Sequence, residues 1–204
     1  MSFEKIKPAL ILAAISAIVS ALVIITYNVT YVDTSNILTE KQAAAVVSVY
    51  GGAAAEYSVV PAEQWKPLFE GDKELSRITK VIRKNDGSLA FEVVVKGYKE
   101  GYDILVGVKG GAVAGVAVVS TGEETKDLGT KTAEPEYLER FKGISEKVSI
   151  VKNEPKNEGE VQAVTGATYS SKGVANAVNI ALSAYDIMQG GTLPEASQTG
   201  GEAE

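Results

Sequence analysis

The longest apolar stretch of the chain lies near its N-terminus. Residues 9–27 carry no charged side chain, and as a helix they span roughly 28 Å, about the thickness of one hydrocarbon core. A cleaved signal peptide is the alternative, but the run is longer than a signal-peptide core and no small-x-small cleavage site follows it. The pattern therefore predicts a retained transmembrane helix over residues 9–29.

Charged residues on either side of this run predict its orientation. Lys5 and Lys7 precede it, and the next cation along the chain is Lys41. Because cytoplasmic flanks carry the excess of Lys and Arg, residues 1–8 are expected in the cytoplasm. Residues 30–188 then form a domain outside the cytoplasm.

From residue 77 onward, apolar positions recur with a period of two, which is typical of strands with one buried face. The turn sequences Asn85-Asp86-Gly87 and Gly110-Gly111 join these stretches into hairpins. We expect an antiparallel β-meander of about four strands, at residues 77–83, 89–95, 102–109 and 112–120. Since helices are predicted around it, the fold class is α+β.

Helical spacing is found on both sides of the meander, at residues 36–50, 135–141 and 172–185. The last of these helices has one continuous apolar face, formed by Val174, Val178, Ala181 and Tyr185. Two prolines predict a loop around Trp65, whose ring is expected to be a packing anchor. Residues 189–204 are mostly small and polar, so they are predicted to be a disordered tail.

Composition excludes several kinds of site. The 204 residues include no Cys and no His, which rules out Cys/His zinc sites, attached haem, iron–sulfur clusters and Ser-His-Asp nucleophiles. No carboxylate spacing indicates a metal, and no catalytic residue is assigned. The formal net charge of −6 argues against a nucleic-acid partner, which normally faces a basic surface.

One hydroxyl-rich stretch, Gln162-Ala-Val-Thr-Gly-Ala-Thr-Tyr-Ser-Ser171, leads directly into the last predicted helix. Four backbone N–H groups at a helix start lack intrahelical partners. One of the hydroxyls could simply cap them. Alternatively, hydroxyls, a glycine and the positive end of the helix dipole together suit a phosphate group. The pattern leaves both interpretations open.

The string Thr-Gly-Ala-Thr followed by Ser-Ser resembles the flavin-attachment motif of the FMN-binding subunits of ion-translocating redox complexes. This family includes RnfG of the Rnf complex and NqrC of the sodium-pumping NADH:quinone reductase. The resemblance implies that a separate flavin transferase esterifies Thr168 to the phosphate of FMN. The other positions of the motif are then expected to bind the cofactor: Thr165, Gly166, Ala167, Ser170 and Ser171. Gln162 stands where the family usually has an acidic residue.

The composition agrees with attachment through phosphate. Flavins bonded through the isoalloxazine ring most often use Cys or His side chains, and this chain has neither. If the protein carries out redox chemistry, a flavin held through its phosphate is the strongest candidate that remains.

A second stretch, residues 123–129, resembles the family's His-Glu-Thr-Pro-Gly-Leu-Gly signature, which helps to wrap the flavin. Glu124, Thr125, Leu128 and Gly129 match it, whereas Glu123 replaces the His and Lys126-Asp127 replace Pro-Gly. A solvated loop is the alternative for such a polar, glycine-punctuated segment. The resemblance implies that the four matching residues lie beside the cofactor.

Taken together, the resemblance implies a single-pass membrane protein with an extracytoplasmic FMN-binding domain. It would relay electrons within an Rnf-type complex that couples ferredoxin:NAD⁺ electron transfer to Na⁺ or H⁺ transport, with the other membrane subunits as partners. Two alternatives stay open: a flavin-free, membrane-anchored binding or scaffold module, and the NqrC-type subunit of a sodium-pumping NADH:quinone reductase.

Overall fold

A computed structural model describes residues 3–30 and 37–190, and its contacts divide the chain into an N-terminal unit and a larger α+β unit. The N-terminal unit contains one helix, α1 (Phe3–Thr30), of 28 residues. This helix includes residues 9–29, over which a transmembrane helix was predicted, and the crossing of a membrane stays a prediction. Within the described ranges, no helix combines the length and the apolar character that a membrane span requires.

The larger unit is built on a five-stranded antiparallel sheet whose strands follow one another in chain order. The strands are β1 (Tyr57–Val59), β2 (Ile78–Lys84), β3 (Leu89–Val95), β4 (Tyr102–Lys109) and β5 (Ala112–Ser120). The predicted meander is confirmed in its order and in its four long strands. The expected number of strands was wrong by one, because β1 is too short to show a period.

Helices cover both faces of this sheet. The face that carries Phe91, Val93 and Ile104 packs against α5 (Thr168–Met188), and these side chains belong to the main hydrophobic core. The opposite face carries Ala90 and Leu105 and packs against α2 (Glu40–Tyr50) in a smaller cluster. Alternation along each strand therefore sends successive side chains into two separate cores.

The sequence explains where α2 begins and which face of α5 is buried. Thr39 caps α2 by accepting a hydrogen bond from the backbone N–H of Gln42, and the Gln42 side chain accepts one from the Thr39 N–H. This reciprocal pair is a capping box, and it starts the helix later than the predicted residue 36. In α5, Val174, Val178 and Ala181 are fully buried, which confirms the predicted apolar face.

The loop predicted around Trp65 is instead a short helix, α3 (Ala62–Phe69). Pro61 occupies the N-cap position, where its missing N–H costs nothing, so proline there marks the helix start and does not break the helix. Trp65 is the expected packing anchor: its ring is buried, and its indole N–H donates to the Val60 carbonyl at 3.2 Å.

Five short elements connect the sheet to α5. A 3₁₀ turn over Gly129–Ala133 leads into α4 (Pro135–Leu138), and a second 3₁₀ turn completes the helix that was predicted to reach residue 141. The charged segment before the hydroxyl-rich motif was assigned no element in the sequence analysis. It contains a parallel pair, β6 (Ser149–Val151) and β7 (Glu160–Gln162). Of the predicted tail, Gln189 and Gly190 close α5 through backbone hydrogen bonds, and residues 191–204 lie outside the described part.

Candidate functional site

The hydroxyl-rich motif forms the turn that starts α5. Gly166 has a φ of +80°, a conformation that glycine adopts without strain. The N-cap residue is Ala167, and no side chain caps the helix. The interpretation that one motif hydroxyl serves as the N-cap is therefore wrong. The helix begins at Thr168 itself, so the first-turn N–H groups are not taken by a capping side chain.

The four hydroxyls of the motif have different surroundings. Ser171 is fully buried, and its Oγ accepts a hydrogen bond from the backbone N–H of Val164 at 3.0 Å. Ser170 is also buried and donates to Glu124 Oε2 at 2.6 Å. Thr168 is half-buried and Thr165 is exposed. Within the described residues, neither threonine hydroxyl has a hydrogen-bond partner, so the serines are engaged in holding the structure and the threonines are available.

Both predicted signatures line a single cavity of about 350 Å³. The turn after β3 contributes Tyr98. The 123–129 loop and the start of α5 supply the rest of the wall. The lining residues are Tyr98, Glu124, Thr125, Leu128, Gly129, Gly166, Ala167, Tyr169 and Ser170. The structure thus brings together seven of the ten predicted cofactor residues, and Thr168 lies between two of the lining residues.

Glu124 is the centre of this cavity wall. Its side chain is buried, with 8% of the residue exposed. One carboxylate oxygen accepts from Ser170 Oγ, and the other accepts from the backbone N–H of Lys99 at 3.1 Å. The alternative interpretation of residues 123–129 as a solvated loop therefore does not hold at Glu124, which is buried. The carboxylate ties the 123–129 loop both to the first turn of α5 and to the turn after β3.

Two glycines make this close approach possible. A Cβ atom on Gly97 would meet Glu124 Oε1, and one on Gly129 would meet Glu124 Oε2 and Ser170 Oγ, all at distances that real side chains do not reach. Any larger residue at either position would displace the carboxylate. Apart from its predicted place beside the cofactor, Gly129 is thus required because Glu124 and Ser170 leave no room for a side chain there.

The loop has a second anchor in the core, which the sequence did not reveal. Thr132 is fully buried and donates to the Gly129 carbonyl at 2.7 Å. Its single hydroxyl proton is then used, so Tyr102, whose oxygen lies 2.7 Å away, must donate to Thr132. Burial raises the pKa of Tyr102 to about 12, which keeps that donor protonated throughout the physiological range.

One of the sequence differences in the 123–129 loop, Asp127 in place of Gly, has a structural explanation. Asp127 has a φ of +61° and is the one non-glycine residue in the described part of the chain with a positive φ. Asp tolerates this left-handed conformation better than most residues. Here the backbone N–H of Asp127 donates to Thr130 Oγ1 at 3.0 Å. The position that is glycine in the family signature therefore keeps a backbone that suits glycine.

Leu128 and Gly166 connect the two signatures on the open side of the cavity. The Leu128 side chain is 45% exposed, and one of its methyl groups would lie 3.1 Å from a Cβ placed on Gly166. Tyr98 and Tyr169 are also exposed at this rim, at 59% and 67%. The cavity thus has a polar, buried base around Glu124 and an apolar, exposed mouth.

Thr165 faces a different cavity, of about 330 Å³, on the other side of the motif. Gln162, Tyr137, Lys131 and Arg140 also line it. Burial raises the pKa of Tyr137, so this hydroxyl stays protonated. A larger groove of about 560 Å³ runs along β5 and contains none of the predicted site residues. The largest of these three cavities is therefore not the one that the signature residues line.

Several residues of this site, both in the cavity lining and behind it, were missed by sequence reasoning. Tyr169 lies inside the motif but was assigned no role, and Tyr98 was not singled out. Gly97 and Thr132 act through Glu124 and Gly129, contacts that join residues far apart in the chain. The sequence offers one signal of close approach, which is Gly97 two residues after the end of β3.

Comparison with known proteins agrees with this geometry. Residues 97–183 match the family model described as the FMN-binding domain, and this range contains every residue that lines the cavity. A curated relative is the component designated G of the Na(+)-translocating ferredoxin:NAD(+) oxidoreductase complex of Acetobacterium woodii. The two chains are 30% identical over 194 residues, which cover 88% of this chain and 90% of that relative.

Two solved structures are also similar. The component designated C of the Na(+)-translocating NADH-quinone reductase from Parabacteroides distasonis matches with 22% identity and a TM-score of 0.43, over 53% of this chain and 60% of that one. NqrC of Shewanella oneidensis matches with 22% identity and a TM-score of 0.48, over 58% of this chain and 66% of that one. The nearly full-length similarity to the Acetobacterium relative shows the family, and the chain belongs to the FMN-binding subunits of the RnfG and NqrC type.

Proposed function

We propose that this chain is a covalently flavinylated electron carrier, with FMN held as a phosphoester on Thr168. One observation supports this most directly. Two signatures separated by about forty residues line one cavity, and the predicted acceptor is the first residue of the helix beside it. FMN, when bound, supplies the one- and two-electron chemistry, and the protein positions it and adjusts its potential.

The start of α5 fits a phosphate group. The N–H groups of the first turn have no intrahelical acceptors, and Ala167 offers no side chain to satisfy them. An anion at an exposed helix N-terminus gains about 0.3–1 kcal/mol from the dipole. That is small beside a covalent bond, so retention of the flavin under denaturing conditions depends on the Thr168 ester.

The cavity also fits the ring system. Its volume of about 350 Å³ falls within the ~300–1,000 Å³ of typical cofactor and ligand pockets. An isoalloxazine ring has large apolar faces and a polar edge, which match the exposed apolar mouth and the polar base. In this proposal Leu128 and Gly129 contact the ring, while Glu124 and Thr125, which line the same cavity, form the wall behind it.

The relative from Acetobacterium gives the context of the proposal. We infer that this chain likewise serves in a complex that transfers electrons between ferredoxin and NAD⁺ and moves Na⁺ or H⁺. Its partners would be the other subunits of that complex and, during maturation, a separate flavin transferase. In this role the chain is a subunit of an oxidoreductase and has no catalytic residue of its own.

We propose further that α1 anchors the chain in the cell membrane with the N-terminus in the cytoplasm. Large apolar side chains such as Ile11, Leu22 and Val29 are exposed around the helix, and Lys5 and Lys7 lie before its apolar stretch. Protease added to right-side-out vesicles should digest the domain formed by residues 37–190. Digestion only in inverted vesicles would reverse the orientation and contradict an external flavin.

The attachment is tested by the intact mass of the protein produced in its native host. Wild type should carry one FMN, and its denatured band should fluoresce under ultraviolet light. Thr168→Val should remain folded and lose both signals, because no hydroxyl is left to form the ester. Thr165→Ala is the matched control and should keep its fluorescence. A fully fluorescent Thr168→Val band would assign the bond elsewhere, and a colourless wild type would favour the scaffold alternative.

A further inference from the structure

In the α+β unit, exposed large apolar side chains are concentrated at the mouth of the cavity that is proposed to hold the flavin. Within residues 37–190, the large apolar side chains that are exposed are Ile37, Leu68, Tyr98, Leu128 and Tyr169. Three of these five line this one cavity of about 350 Å³. Large apolar side chains that are exposed around one cavity often mark a binding site. Two of the three are tyrosines, which come from different parts of the fold.

Tyr98 belongs to the turn between β3 and β4, and hydrogen bonds on both sides of it fix the backbone. The Gly97 N–H donates to the Lys99 carbonyl at 3.0 Å. The Lys99 N–H in turn donates to Glu124 Oε1 at 3.1 Å. The phenol is therefore exposed on a backbone that is held in place.

Tyr169 is held in the same way by a different element of the cavity wall. It is the second residue of α5, directly before Ser170, which is 1% exposed and donates to Glu124 Oε2 at 2.6 Å. One carboxylate thus fixes the residue after Tyr98 and the residue after Tyr169. Its two oxygens hold the two backbone segments that carry these rings at the cavity mouth.

We propose that Tyr98 and Tyr169 flank the isoalloxazine ring of FMN, and that Glu124 is the positioning residue that holds both tyrosines. The inference rests on the proposed function and adds the ring contacts to it. Aromatic faces prefer offset stacking against other planar π systems. The negative π faces of two phenols also lie against a ring that gains electron density on reduction, which disfavours the reduced form.

Fluorescence of the attached flavin reports such contacts directly. An excited isoalloxazine ring takes one electron from a phenol in contact with it and returns that electron at once. The cycle leaves no net oxidation and quenches emission. In wild-type holoprotein with its native FMN, emission should therefore be far weaker than that of free FMN. Tyr98→Leu and Tyr169→Leu should each lengthen the excited-state lifetime severalfold and raise the midpoint potential.

Tyr185→Leu is the matched control. This half-buried tyrosine lies on the same helix as Tyr169, about 24 Å further along it at 1.5 Å per residue. Its replacement should leave lifetime and potential at wild-type values. If a leucine variant fails to fold or to load flavin, Tyr98→Phe and Tyr169→Phe keep the ring and its packing. They should still lengthen the lifetime, because phenylalanine is a far poorer electron donor.

The positioning role of Glu124 has its own test. Glu124→Ala removes both hydrogen bonds and should lengthen the lifetime and broaden its distribution. Glu124→Gln should restore the wild-type signal, since its amide can accept from Lys99 N–H and donate to Ser170 Oγ. Wild-type lifetimes in both tyrosine variants, with full flavin content, would overturn the inference and leave the Thr168 attachment intact. A wild type without flavin would overturn the proposed function and this inference with it.

Discussion

At the scale of single residues, the Glu124 carboxylate fits between two glycines. Gly97 and Gly129 contact its two oxygens at positions where a Cβ atom has no room. The buried carboxylate keeps its hydrogen bonds to Ser170 and Lys99 only because both approaches are open. The cavity wall therefore depends on the absence of side chains at two positions.

We expect Gly129→Ala to break this arrangement. The new methyl group would meet Glu124 and the Ser170 hydroxyl, so the carboxylate must move out of its hydrogen bonds. Overpacking of this kind costs about 1–3 kcal/mol of the free energy of unfolding, measured by urea denaturation. Gly115→Ala is the control: its Cβ would lie 3.3 Å from a Val49 methyl group that can shift. Equal stability of both variants would contradict the steric argument.

Sequence reasoning at this scale found the residues that carry a motif and missed those that act through space. Thr168, Glu124 and Gly129 were singled out through the family resemblance, and their roles toward the cofactor stay predictions. The contact between Glu124 and Ser170 joins residues 46 positions apart, and no local pattern encodes such a pair. Tyr98 and Tyr169 were missed because a single exposed aromatic side chain has no periodicity.

At the scale of elements, the 123–129 loop is held at its end by a chain of buried hydroxyls. Tyr102 at the start of β4 donates to Thr132, and Thr132 donates to the Gly129 carbonyl. The loop therefore takes its position from the sheet as well as from α5. Both ends of the cavity wall are tied to elements that cannot move independently of the core.

Thr132→Val keeps the shape of the side chain and removes its hydroxyl. The Tyr102 O–H and the Gly129 carbonyl would then be buried without partners, which costs about 1–3 kcal/mol for each unsatisfied group. We expect a lower midpoint in urea and a changed near-ultraviolet circular dichroism signal from Tyr102. Thr132→Ser should recover most of the loss. A valine variant as stable as wild type would show that the two groups find other partners.

The strength of the local pattern decided which elements could be predicted. The four long strands were found within a residue or two because each is long enough to alternate and ends at a turn. β1, β6 and β7 have three residues each, too few for a period to appear. α3 was missed because Pro61 was interpreted as a loop residue, although proline is well suited to a helix start.

At the scale of the whole molecule, the two faces of the sheet differ in charge. The α5 face is apolar, whereas the α2 face buries the carboxylate of Glu92 beside that of Asp103. Glu92 accepts from Gln42 at 2.7 Å and from Thr79 at 3.2 Å. Asp103 has a buried oxygen without a partner in the described part of the chain. Burial, with Glu92 as the next cause, raises the pKa of Asp103 to about 7, and Lys80 opposes the shift.

This pair predicts a stability that falls as pH rises. The folded-state pKa of Asp103 lies above its unfolded value of about 4, so the contribution is complete below about pH 4 and is lost as pH rises through about 7. After allowance for solvent screening, we expect a loss of about 1–2 kcal/mol. Urea midpoints measured from pH 4 to 8 test this.

Asp103→Asn should remove that pH dependence and be more stable than wild type at pH 8. Its amide carries no charge and can donate to Glu92. Glu146→Gln, at an exposed carboxylate, serves as the control and should retain the wild-type profile. A wild-type slope in the Asp103 variant would place the titrating group elsewhere.

The order of the chain has a consequence for when the cavity can exist. Its walls come from the turn after β3, the 123–129 loop and the first turn of α5, and α5 is synthesised after all five strands of the sheet. Until the ribosome has made α5, the face that carries Phe91, Val93 and Ile104 lacks the helix that covers it. Thr168, the proposed acceptor, then has no cavity beside it. If FMN is attached to Thr168 as proposed, the complete attachment site forms only after the sheet and α5 have come together. The flavin content of the protein would then report how many chains have reached their folded tertiary structure.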